Sequence, residues 1–125
     1  MKRRKCTNIH IERYSKEMRM RIEEFKKLFE PVLLKTSARS AYLFGSRARG
    51  TEDPESDVDL VIVADTERPF VERCLDFMEL VRVSPAPVEM LVYTPFEFRT
   101  MSERGNGFIM NVLKEGILLY ERSAA

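Results

Sequence analysis

The chain is 125 residues long, with 44% hydrophobic and 33% charged residues and a formal net charge of +1. That length suits one domain spanning residues 1–125, and the apolar share is enough for a packed core, which excludes an intrinsically disordered chain. The nearly balanced charge gives no global electrostatic reason to expect nucleic acid or a membrane surface as a partner.

The basic opening "MKRRK" reads as a solvated terminus or an electrostatic arm. Nothing resembles a signal peptide, and no apolar run approaches the roughly 20 residues of a membrane span, so a cytoplasmic protein is expected. Cys6 and Cys74 lie far apart with no C-x-x-C, which argues against a disulfide framework and a zinc site. His10, near the terminus, is not expected to be catalytic. From Ile11 to Leu34, apolar residues recur at helical steps (Tyr14, Met18, Ile22, Phe25, Phe29, Val32), predicting an amphipathic helix with a kink or restart at Pro31. Its stripe suits a core face or, being long, a face for a partner helix. Ala41 to Phe44 reads as a strand ending at Gly45, and "SDVDLVIVA" as a second, central strand. Pro69 opens a helix whose Phe70, Val71, Cys74, Leu75, Phe77, Met78 and Val81 follow helical spacing, with Cys74 expected in the core. "APVEMLVY" is a third strand. Thr94, Pro95 and Glu97 then form a capping box that starts the next helix. Breakers at Gly105-Asn106-Gly107 end it, a last helix runs from about Phe108 to Glu115, and "ILLYE" closes the chain as a short strand. The order predicts an α/β (α+β) fold, a small mixed sheet packed with helices.

The chemistry concentrates in "LFGSRARGTEDPESDVDLVIV", Leu43 to Val63. Asp57 and Asp59, two positions apart on a strand, share a face with Cα atoms about 6.5–7 Å apart. Two close carboxylates at the mouth of a buried strand are costly unless a cation stands between them. Mg²⁺ suits such oxygen ligands and shares them with substrate phosphates. Glu89, a lone charge in an apolar strand, is the candidate third carboxylate. Three carboxylates at a strand edge can hold two metal ions roughly 3.5–4 Å apart, the arrangement for in-line phosphoryl displacement. Gly45 and Ser46 suit a phosphate-holding turn, and Arg47 and Arg49 could neutralise a triphosphate tail.

"GSRARG", with Gly-Ser followed after ten residues by the Asp-x-Asp of "SDVDL", resembles the signature of the DNA polymerase β-type nucleotidyltransferase superfamily, most nearly its minimal branch. The resemblance implies the polymerase β-like nucleotidyltransferase fold and transfer of a nucleoside monophosphate from an NTP to an acceptor hydroxyl. It implies two Mg²⁺ ions, with Mn²⁺ as a substitute. By the same resemblance, Gly45 and Ser46 match the phosphate-holding pair, Asp57 and Asp59 the metal ligands, and Glu89 the third carboxylate that helps activate the acceptor. Glu89 stands where the minimal branch more often carries Asp. ATP is the expected NTP, and the expected acceptor is a protein or a small molecule. Minimal members are often paired with a helical HEPN-type toxin, so an antitoxin of such a pair is one expectation. A homodimer is another assembly considered, and nucleic acid would enter only as an acceptor. The alternative is a non-catalytic module that neutralises a helical partner by binding, motivated by the long helix at about 11–34.

Overall fold

A computed structural model of the protein describes residues 14–51 and 56–123. The opening basic run, Cys6, His10 and the expected helix start at Ile11 lie outside the described residues. Helix α1 (Lys16–Leu34) begins where the Ser15 hydroxyl accepts the Met18 N–H at 3.1 Å. It runs unbroken through Pro31, where a kink or restart was expected. Pro31 and Lys27 both face solvent, so water can satisfy the carbonyl that proline leaves without its helical donor.

Strand β1 (Ala38–Phe44) leads through Gly45 into a single turn of helix, α2 (Ser46–Arg49), and strand β2 (Val58–Ala64) follows. Beyond Pro69 the expected helix is a 3₁₀ segment (Phe70–Phe77) that becomes α3 (Met78–Val83). Strand β3 (Val88–Tyr93), helix α4 (Pro95–Glu103), helix α5 (Gly107–Glu115) and strand β4 (Ile117–Glu121) complete the order. The capping box of α4 forms as the sequence predicts: Glu97 N–H donates to Thr94 Oγ1 at 3.1 Å, and Thr94 N–H to Glu97 Oε1 at 2.9 Å.

The strands form one mixed sheet in the order β3-β2-β1-β4. β1 runs antiparallel to both β2 and β4, and β2 runs parallel to β3. Alternation assigns each side chain a face. Leu43, Leu60 and Ile62 join the main core with Ile22, Phe25, Phe29, Val32 and Leu33 of α1 and Leu80 of α3. Tyr42 and Phe44 alternate to the other face, where Tyr42 stacks on Phe98 of α4 and Phe44 meets Phe108 of α5 edge-on. Helices therefore cover both faces, and β2, in the middle, is apolar from Leu60 to Ala64. The stripe of α1 is a wall of the core, each fully buried large side chain contributing about 1.5–3 kcal/mol. It is not a free partner face.

The apolar residues of 70–81 behave differently. Phe77 is buried, but Phe70, Val71, Leu75, Met78 and Val81 are exposed, and Cys74 is only half-buried. Arg73 rather than an apolar neighbour turns inward with Phe77, because its guanidinium meets the Val92 carbonyl and the Glu97 carboxylate there, and the 3₁₀ winding departs from the 3.6-residue period that the apolar spacing follows.

Candidate active site

Register brings the site together. Phe44 on β1 stands opposite Asp59 on β2, and Asp59 stands opposite Glu89 on β3. Phe44, Asp59 and Glu89 thus form a row across three strands on one face of the sheet. The Val58 N–H donates to the Pro87 carbonyl at 2.7 Å, which ties the start of β2 to β3 next to the Asp59–Glu89 register pair. Asp57 immediately precedes β2 and is exposed. Glu89 is exposed on an edge strand, and Asp59, between its neighbours, is half-buried.

Asp59 has its carboxyl pKa raised, first by burial and then by repulsion from Glu89 and Asp57, against the attraction of Arg47 and Arg49. Two of the carboxylates named from the sequence, Glu89 and Asp57, therefore stand close enough to act on the third, Asp59, in the folded chain. Among the described residues, no three His, Cys, Asp or Glu side chains stand as a ready-made metal cage. The donor chemistry nevertheless suits a hard cation: the charged atoms are all carboxylate oxygens, and Asp59 would be relieved by positive charge.

Gly45 is the residue that makes the turn and the acids neighbours. Its φ of +78° is one that glycine adopts freely and other residues resist. A Cβ at this position would collide with the Asp59 carboxylate, whose Cγ would lie 3.3 Å away. The backbone of the turn thus passes directly over the Asp59 side chain. Ser46 opens α2, whose first N–H groups have no intrahelical acceptor.

The two arginines divide their roles. Arg47 is half-buried; its guanidinium donates to the Ser56 carbonyl at 3.2 and 2.8 Å and lies 5.6 Å from the centroid of the Phe25 ring. It fastens the residue just before Asp57 and acts on Asp59 through charge. Arg49 is exposed and lines a pocket of about 230 Å³ beside Gly45, together with Phe44, Phe108, Asn111 and Glu115. No sequence pattern marks this pocket. Phe108, Asn111 and Glu115 share one face of α5 by helical spacing, but only the tertiary packing carries that face to Gly45.

The sequence profile of the family described as "Polymerase beta, Nucleotidyltransferase" matches residues 26–125. A candidate protein adenylyltransferase of Methanocaldococcus jannaschii is 31% identical over 74 residues, which cover 59% of this chain and 80% of that protein. Among solved structures, a candidate nucleotidyltransferase from Sulfolobus solfataricus aligns with a TM-score of 0.52 and 25% identity over 85% of this chain and 86% of its own. A toxin–antitoxin structure with AMP-PNP aligns with a TM-score of 0.55 over 78% of this chain and 74% of its own, and at 19% identity this is a likeness of fold.

Proposed function

Because the chain belongs to the polymerase beta nucleotidyltransferase family and is itself a nucleotidyltransferase, we propose that it moves an adenylyl group from ATP to a hydroxyl of a protein acceptor. The observation that carries this is the register row, with Asp59 between Glu89 and the Gly45 turn. Gly45 and Ser46 hold the β- and γ-phosphates with backbone N–H groups and the Ser46 hydroxyl, and Arg49 adds positive charge. Asp57 and Asp59 are the residues that would hold Mg²⁺ at the phosphates, and Glu89 would complete the set on the acceptor side. Bound divalent cations supply charge neutralisation on the phosphates and acidify the attacking hydroxyl. Glu89 orients that hydroxyl and takes up its proton. The acceptor oxygen forms a bond to the α-phosphorus, the bond from that phosphorus to the β-bridging oxygen breaks, and pyrophosphate leaves. Glu89 lies on the open edge of the sheet, which leaves room for a macromolecular acceptor.

The name of the Methanocaldococcus jannaschii relative supports a protein acceptor, and the toxin–antitoxin likeness supports a partner protein as that acceptor, for which the sequence resemblance suggests a helical HEPN-type protein. Incubation of the protein and source-cell extract with α-labelled ATP and Mg²⁺ or Mn²⁺ tests this. A labelled protein band that disappears with Asp57→Asn and Asp59→Asn is expected. No label, together with no metal-dependent NTP binding, overturns the proposal. Partner neutralisation that survives Asp57→Asn would favour the binding-module alternative, which the exposed Phe70, Val71, Leu75 and Met78 stripe now motivates in place of α1.

A further inference from the structure

We propose that the pocket beside Gly45 receives the base of the nucleoside triphosphate and selects adenine, with Asn111 and Glu115 as specificity-determining residues. This rests on the transferase reading above. The turn and the pocket are continuous. Gly45 belongs both to the phosphate-holding turn and to the pocket wall, so a ligand anchored on the turn lies against the pocket. In the row Phe44, Asp59, Glu89, the pocket lies at the Phe44 end and the acceptor carboxylate at the other. A nucleotide whose phosphates sit over Asp59 sends its base away from the acceptor, toward Phe44.

Size and chemistry narrow the occupant. A volume of about 230 Å³ falls below the roughly 300–1,000 Å³ of sites that engulf a whole drug-sized ligand. It has room for one planar ring system while the sugar and phosphates stay outside. Phe44 and Phe108 meet edge-to-face with centroids 5.3 Å apart, and Phe108 remains partly exposed, which offers a surface for stacking. Asn111 and Glu115, one helical turn apart, line the same pocket, and among the described residues neither side chain has a hydrogen-bond or ion-pair partner. An asparagine amide matches the paired donor and acceptor of adenine, and a carboxylate accepts from an exocyclic amine. With Asn111 on the N6/N7 edge, the same carboxylate faces position 6, where guanine sets its O6, its own exocyclic amine lying on the far side of the ring; uracil likewise presents a keto oxygen in the amine's place. Cytosine keeps an amine but offers a smaller ring to the phenylalanines.

Equilibrium binding of ATP, GTP, CTP and UTP to the full chain with Mg²⁺ tests the inference, using wild type, Asn111→Ala, Glu115→Gln and, as a control, Ser46→Ala. Wild type is expected to bind ATP about tenfold or more tightly than GTP and UTP. Asn111→Ala and Glu115→Gln are each expected to lose roughly tenfold of that preference with Tm unchanged, since both side chains are exposed. Ser46→Ala should weaken all four nucleotides alike, because it touches only the phosphates they share. An undiminished ATP preference in both pocket variants, or a wild type without base preference, overturns the subsite while leaving the transferase reading in place. A wild type that binds no NTP overturns both.

Discussion

Asp59 is the carboxyl among the described residues whose pKa is raised, and its titration has a definite sign. A carboxyl whose pKa is raised on folding opposes folding at neutral pH, and that cost is relieved as pH falls through the raised value. Asp59→Asn is therefore expected to raise the Tm in metal-free buffer while abolishing transfer. Mg²⁺ should raise the Tm of the wild type and have little effect on the variant, as differential scanning calorimetry would record. A lower Tm for Asp59→Asn would show that the carboxylate is instead a structural hydrogen-bonding group. Gly45 makes the complementary case. Gly45→Ala must accept a φ of +78° and displace the Asp59 carboxylate, at a cost of about 1–3 kcal/mol by denaturant unfolding, with loss of NTP binding. Gly105 also has positive φ, but a Cβ there meets nothing within 4 Å, so Gly105→Ala should leave NTP binding intact.

Between elements, the Arg73–Glu97 pair joins the 3₁₀ helix to the end of β3 and the start of α4. The buried Arg73 guanidinium donates to Glu97 Oε1 at 2.7 Å, Glu97 Oε2 at 3.1 Å, the Val92 carbonyl at 3.1 Å and the Arg68 carbonyl at 3.0 Å. Glu97 is at the same time the second half of the α4 capping box, so one carboxylate serves two elements. Arg73→Met should cost about 2 kcal/mol, less than a fully buried pair because Glu97 stays partly in water. The guanidinium contact holds the Glu97 pKa below the usual carboxylate range. Its stabilisation is thus present above about pH 4.3, the unfolded value, and is lost as pH falls through the lowered folded value. The gap in stability between wild type and Arg73→Met should accordingly narrow in acid. A gap that stays constant from neutral pH down through that window would assign the loss to packing alone.

At the scale of the whole molecule, the helices divide the sheet into a structural face and a working face. α1 closes the first with Phe29 and Leu33 fully buried, whereas the second carries Phe44, Asp59 and Glu89 beside α5. Phe29→Ala should destabilise the chain by about 3–5 kcal/mol, whereas Val71→Asp, at 81% exposed, should change stability by less than about 0.5 kcal/mol. Chemical denaturation of the two variants measures the contrast. A large loss from Val71→Asp would mean that the 70–81 stripe is covered in solution. The same division decides what truncation can test: removing α1 opens the core, so partner binding is better probed on the exposed stripe.

Much of this organisation was legible in the residues themselves. The capping box at Thr94, the final strand from Ile117 and the acidic pair after Gly45-Ser46 depend on local chemistry, meaning side-chain hydrogen bonds, φ preferences and alternation along one strand. The inward turn of Arg73, the exposure of Phe70 and Leu75, and the unbroken passage of α1 through Pro31 were not legible, because each depends on what lies across from it. The sequence by itself determined the element order, the carboxylates and the glycine-serine turn, since short-range sterics and charge prescribe them. Only the tertiary structure decided that Asp59 lies between Phe44 and Glu89, and that a face of α5 reaches Gly45. Strand register and helix packing are relations between distant segments, and no local pattern encodes them.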